Sequence, residues 1–165
     1  MQITLKGNPI NLSGSFPEVG TQAPDFALTT ASLSDVSLGE FDGQKKVISI
    51  VPSLDTPVCA TSTQKFNSQV SNKEGVKLLV VSADLPFAAG RFCEANSAAD
   101  TVTLSTMRNN SFASDYGVLM ADGPLAGLSA RAVLVLDQDN KVLHAELVPE
   151  IAQEPDYDAA IAALS

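Results

Sequence analysis

The feature that most restricts the fold of this chain is a pair of apolar runs separated by one helix-length segment. Val47-Ile48-Ser49-Ile50-Val51 and Val76-Lys77-Leu78-Leu79-Val80-Val81 are rich in β-branched residues, as buried strands are. The first is bounded by Lys45-Lys46 and Pro52, and Gly75 precedes the second. Between them, Asp55-Thr56-Pro57 reads as a helix start: Asp or Thr caps it, and a proline at the first helical position sacrifices no hydrogen bond. Phe66 and Val70, four apart, share one face of that helix, which should run to about Asn72. Strand, helix and strand in this order imply a parallel crossover, and parallel strands call for helices on both faces of the sheet.

The flanking segments extend this unit. Gln2 to Leu5 and Ile10 to Leu12 flank Gly7-Asn8-Pro9 as a small β-hairpin, expected to decorate the core. The stretch from Gly14 to Pro24 is a connecting arm, Phe26 to Leu28 a short strand, and Leu38 to Gly43 a turn. Asp84-Leu85-Pro86 opens a second helix by the same cap-and-proline logic, carrying Phe87, Phe92 and Cys93. Val102 to Leu104 is a weak strand, and Ser111 to Tyr116 a short helix stopped by Gly117. Ala130 to Asp137 and Val142 to Val148 form an antiparallel hairpin, and Pro155 starts a last helix whose Tyr157, Ile161 and Leu164 recur at helical spacing. The order is the outline of a thioredoxin-like α/β fold: a central mixed β-sheet flanked by helices, with an N-terminal β-hairpin extension. One domain over residues 1–165 is expected, with the hairpin at 1–13.

Composition narrows the function classes. With 165 residues, 45% of them hydrophobic, the chain can bury a full core without disulfide staples. A net charge of −9, with the ten Lys and Arg scattered, lacks the basic footprint of a nucleic-acid or anionic-membrane binder. No run reaches the ~18 apolar residues of a membrane helix, and no basic leader stands at the start, so a cytoplasmic location is expected. Two cysteines, no Cys-x-x-Cys and one histidine are too few soft ligands for a zinc site.

The chemistry then falls to Cys59. A free cysteine is commonly an inert buried hydrophobe, but Cys59 sits in the first turn of its helix, where unpaired N–H groups and the dipole favour thiolate over thiol. Acidity alone is insufficient. Lowering a thiol from ~8.5 to ~6 raises its thiolate fraction at pH 7 roughly 30-fold, while intrinsic nucleophilicity falls roughly tenfold. A fast thiolate enzyme therefore needs fixed donors aimed at the breaking bond. His144, the only histidine, lies in a strand with no motif around it, which removes most support for a cysteine-protease arrangement. Thr56 stands three residues before Cys59, so its hydroxyl can cap the helix, face the sulfur, or both. Arg131 opens an apolar strand; it is either a rim salt bridge or a fork holding a thiolate and an oxygen substrate together. Cys93 is either a core residue beside Phe92 or a resolving thiol, and bridging would require the helix ends to loosen.

These residues resemble a known family. Pro52-Ser53-Leu54-Asp55-Thr56-Pro57-Val58-Cys59 matches the Pro-x-x-x-Thr-x-x-Cys signature of peroxiredoxins. The stretches Ser82 to Cys93, Thr103 to Asn109 and Ala121 to Val133 look like the bacterial thiol peroxidase subfamily of atypical two-cysteine peroxiredoxins, with no departure at a functional position. The resemblance implies that Cys59 is the peroxidatic cysteine, oxidised by a hydroperoxide to a sulfenic acid. It implies that Cys93 is the resolving cysteine, closing an intramolecular disulfide that thioredoxin reduces. Thr56 and Arg131 correspond to residues that hydrogen-bond the peroxide and thiolate, and Pro52 to one that shields them from water. A homodimer, no metal or organic cofactor, and a preference for alkyl hydroperoxides are also implied. A thioredoxin-type disulfide oxidoreductase is disfavoured because Ala60 to Ser62 follow Cys59 with no second cysteine; a non-catalytic α/β binding module is the alternative of a different class. Met107, Arg108 and the loop at 121–129 are expected at a substrate entrance or an interface.

Overall fold

The computed structural model describes residues 1–96, 98 and 100–165. Strands β1 (Gln2–Leu5) and β2 (Asn8–Ser13) form the N-terminal hairpin; β3 (Ala27–Thr30) and β4 (Asp35–Ser37) follow, then a 3-10 turn at Leu38–Phe41. The central unit is β5 (Lys45–Ile50), α1 (Pro57–Val70), β6 (Val76–Ser82), α2 (Pro86–Ala95) and β7 (Val102–Ser105). The rest is α3 (Phe112–Asp115), β8 (Leu119–Met120), β9 (Ala132–Leu136), β10 (Val142–Leu147) and α4 (Tyr157–Ala162).

Seven strands form one mixed sheet in the order β10-β9-β5-β6-β7-β3-β4. The crossover expected between the two apolar runs is there: β5 pairs parallel with β6, and β6 with β7. On its other side β5 pairs antiparallel with β9, with Ile50 opposite Ala132. Every residue of β5 from Lys46 onward is buried, as a central strand with both faces covered must be.

Alternation along the strands sorts the core into two layers. Val47, Val51, Val80, Val133 and Val135 face α1, α2 and α4, together with Phe66, Phe92 and Ala160. Ile48, Ile50, Val81, Leu134 and Leu136 face the other way, where Phe112, Tyr116 and the hairpin cover them. The expectation of helices on both faces is thus met unevenly, because the three longer helices share one face. The hairpin is more than decoration. Ile3 and Ile10 are 2% and 1% exposed and belong to the main core, closing the face that α3 alone is too short to cover. Its strand β2 also pairs with β8, a two-residue strand that no alternation announces.

Glu150 latches the hairpin. Its carboxylate accepts from the Thr4 hydroxyl at 2.6 Å and from the backbone N–H groups of Lys6 (3.0 Å), Gly7 (3.2 Å) and Ala152 (3.2 Å). These donors, led by Thr4, hold the carboxyl down at about 2, against an ordinary 4.5. A depressed carboxyl contributes its docking strength fully above 4.5 and loses it as pH falls through about 2. The Lys6 and Gly7 amide resonances should therefore titrate with a midpoint near 2 and stay flat in Glu150→Gln; a midpoint near 4.5 would mean the latch does not form.

Both prolines fall at helix starts as expected, though the caps differ. Thr56 is the N-cap of α1, but its side chain makes no cap hydrogen bond. The N-cap of α2 is Leu85 rather than Asp84, whose carboxylate turns back to the loop before α1. Helix α1 ends at Val70 with Ser71 as C-cap, just short of Asn72. Helix α4 starts at Tyr157 because the Asp156 side chain accepts from Ala159 N–H, placing Pro155 outside.

Candidate active site

The site forms where the central strand ends. Val51 N–H still bonds Val81 C=O at 3.0 Å, but Pro52 cannot continue the ladder, and the chain turns into α1. Cys59 lies in the first turn of α1 and is 0% exposed, with the Ser62 hydroxyl bonded to its carbonyl at 3.0 Å.

Arg131 immediately precedes β9. Alternation gives it the same side of the sheet as Val133 and Val135, the side that carries α1. It is 2% exposed; Nη1 donates to Cys59 Sγ at 3.2 Å and Nε to the Ile151 carbonyl at 3.1 Å. The rim salt bridge weighed for this residue does not form, since no carboxylate pairs with it among the described residues. A permanently charged, planar fork therefore spends one arm on backbone and another on sulfur, which is how a buried guanidinium is satisfied without an acid.

Thr56 does not bond the sulfur. Its hydroxyl donates to the Ser53 carbonyl at 3.0 Å, so its proton is committed and its oxygen is left as an acceptor. Pro52, Thr56, Val58, Leu128, Ile151 and Arg131 line a cavity of about 250 Å³, with Leu5 of the hairpin and Leu125 as further walls. Apart from Thr56, Ser53 and the guanidinium, its lining side chains are apolar. From the 121–129 loop, Leu125 and Leu128 line this cavity, whereas Arg108 bonds Asp35 at 3.1 Å and Met107 lines a separate cavity with Ala83.

Cys93 is half-buried on α2, unbonded to Cys59, and packs against the same apolar cluster that contains Cys59. Burial pushes its thiol up, away from the thiolate form. His144 sits on β10 with Glu146 Oε2 at 4.0 Å and takes no part in the Cys59 contacts.

Sequence position pointed to Thr56 and Cys59 and left Arg131 open between a rim salt bridge and a thiolate-holding fork, and the family resemblance added Pro52. It missed Ile151, whose carbonyl fixes Arg131, and Asp84, which holds the Ser53–Leu54 backbone. Neither contact leaves a local signal, since the partners lie 20 and about 30 residues apart.

The site thus places a permanent cation on a helix-start cysteine, beside an apolar cavity at the edge of the central sheet. The model of the Redoxin family matches residues 18–161. A thiol peroxidase of Leptospira interrogans is 51% identical over 164 residues, covering 98% of this chain and 96% of that protein. Among solved structures, a peroxiredoxin-like protein from Aquifex aeolicus has TM-score 0.92 and 43% identity, covering 98% of this chain and 94% of that one. A thiol peroxidase from Chromobacterium violaceum has TM-score 0.92 and 25% identity, covering 99% and 95%. The chain belongs to the redoxin family, and within it to the bacterial thiol peroxidases, enzymes of the peroxiredoxin type.

Proposed function

We propose that the chain carries out thiol-dependent peroxide reduction with Cys59 as the peroxidatic and Cys93 as the resolving cysteine. The observation that carries this reading is the 3.2 Å contact from Arg131 Nη1 to Cys59 Sγ at the edge of the apolar cavity.

In the first step the Cys59 sulfur attacks the terminal oxygen of a hydroperoxide. The S–O bond forms as the O–O bond breaks; sulfur is oxidised by two electrons, and the alkoxide or hydroxide leaves as alcohol or water after taking a proton. Arg131 holds the sulfur and donates to oxygen as negative charge moves there. Thr56, its own proton engaged by Ser53, accepts the hydroperoxide O–H and so orients the substrate. Pro52 contributes no donor and keeps water off the sulfur. The apolar walls favour an organic hydroperoxide, while hydrogen peroxide fits the same polar end.

In the second step Cys93 gives up its proton and attacks the sulfur of the Cys59 sulfenic acid; the S–S bond forms as the S–O bond breaks, and the hydroxide leaves as water with that proton. A wholly buried Cys59 and a half-buried Cys93 on separate helices require the helix ends to loosen first. Thioredoxin then supplies two electrons by dithiol exchange. No helix of the described residues is long and apolar enough to cross a membrane, and a reducing cytoplasm suits a disulfide broken each cycle. Residues 1–165 act as one domain that needs no cofactor. Leu85 and Phe87, 54% and 65% exposed at the head of α2, suit burial against a second copy in a homodimer.

Treating the protein with one equivalent of cumene hydroperoxide and mapping its peptides by mass spectrometry tests the cycle. The expected product is a Cys59–Cys93 disulfide within one chain; free Cys93 beside oxidised Cys59, or a disulfide between chains, would contradict it.

A further inference from the structure

Asp84 plays no part in the steps above, yet its carboxylate takes three short hydrogen bonds beside the site. Oδ1 accepts from the Ser53 hydroxyl at 2.7 Å; Oδ2 accepts from Leu54 N–H at 2.7 Å and from the Ser82 hydroxyl at 2.9 Å. Asp84 is itself anchored: its carbonyl accepts the Ser105 hydroxyl at 2.6 Å and its N–H bonds Ser82 Oγ at 3.2 Å. The ends of β6 and β7 thus fix this carboxylate, and the loop between β5 and α1 hangs from it.

That loop has few other ties. The sheet ladder stops at Val51, and neither Pro52 nor Pro57 has an N–H to give. Ser53 concentrates what remains. Its hydroxyl oxygen accepts Asp55 N–H at 3.1 Å, and its carbonyl accepts both Thr56 N–H (3.3 Å) and the Thr56 hydroxyl (3.0 Å). Turning Ser53 would therefore turn the Thr56 hydroxyl, and with it the lone pairs that face the cavity.

We infer that Asp84 is a positioning residue for the peroxide step, acting through Ser53 and Leu54 to hold the Thr56 hydroxyl in register with the cavity beside Cys59. The inference rests on the peroxidase reading. It predicts a selective loss, because attack on a hydroperoxide needs Thr56 in register whereas alkylation of the same sulfur needs only access.

The test uses the full chain carrying Cys93→Ser, so that only the first step is observed. Sulfenic acid formation with cumene hydroperoxide is followed by rapid quench into dimedone and mass spectrometry, and alkylation by iodoacetamide is timed in parallel. Asp84→Ala should lower the peroxide rate constant about tenfold or more, with alkylation unchanged or faster. Asp84→Asn keeps one carbonyl oxygen for Leu54 N–H and should recover to within about threefold of the parent. Ser53→Ala, which keeps the backbone bond to Asp84, should lose about threefold and serves if Asp84→Ala does not fold. A peroxide rate within about twofold of the parent for Asp84→Ala, or equal losses toward both reagents, overturns the assignment. A parent whose Cys59 does not react with peroxide overturns the peroxidase reading, and this assignment with it.

Discussion

Cys59→Ser is expected to lower peroxide turnover by at least about 10³-fold while leaving the fold in place. The rate falls because a serine hydroxyl does not ionise near neutral pH and cannot accept oxygen to give a sulfenic acid. The fold survives because the exchange is nearly isosteric at a wholly buried position, and serine oxygen can take the hydrogen bond that Arg131 now gives to sulfur. Turnover is read as NADPH consumption with thioredoxin and its reductase, and folding as the melting temperature. For a chain of this size each kcal/mol of lost stability moves the melting temperature by about 2–4 °C, so a shift within that range accompanies the intact fold. Cys93→Ser provides the complement: one equivalent of sulfenic acid forms at the parent rate, then turnover stalls. A Cys59→Ser variant with parental turnover would remove the sulfur from the mechanism altogether.

Arg131→Met should be the next most damaging change, with kcat/KM for hydroperoxide falling about 10²–10³-fold. Removing one preorganised donor at a site of developing charge has this magnitude, about 2.7–4 kcal/mol in the transition state. Stability moves on a separate account. Losing the guanidinium leaves the Ile151 carbonyl without its partner, which costs about 1–3 kcal/mol, but also removes a buried charge with which no carboxylate forms a salt bridge among the described residues. These effects oppose each other, so the melting temperature should move far less than the rate. Arg131→Lys should rescue little, since one ammonium lacks the fork that reaches Ile151 O and Cys59 Sγ at once. Kinetics within threefold of the parent for Arg131→Met would exclude this residue from the peroxide step.

How far the sequence reveals this depends on distance along the chain. The β5–α1–β6 unit was legible because apolar runs and helix-start prolines are local signals, and Pro52, Thr56 and Cys59 fall inside that unit. Arg131 was ambiguous from pattern alone and gained a role only through the motif, because its contact with Cys59 spans 72 residues. Asp84 reads as a helix cap in the sequence because a proline follows two residues later, and nothing nearby announces that the carboxylate bonds Ser53, 31 residues back. Strands β4 and β8, three and two residues long, are too short to display alternation. The hairpin was undervalued for a related reason, since Ile3 and Ile10 show their partners only once the sheet face they close is known.

The antiparallel register between β5 and β9 has a further consequence, for the kinds of length change this chain can absorb. With Ile50 opposite Ala132, Arg131 falls beside the strand end that leads to Pro52, on the face that carries Cys59. A single insertion between Arg131 and Leu136 would turn the residues on one side of it onto the opposite face, setting the arginine's side against the packing of the valines. An insertion in the turn at 137–141, at the far end of the same hairpin, leaves the facing of Arg131 and of the β9 valines unchanged. Tolerance to insertions and deletions should therefore rise sharply from one end of this hairpin to the other, tracking strand pairing rather than distance from the sulfur.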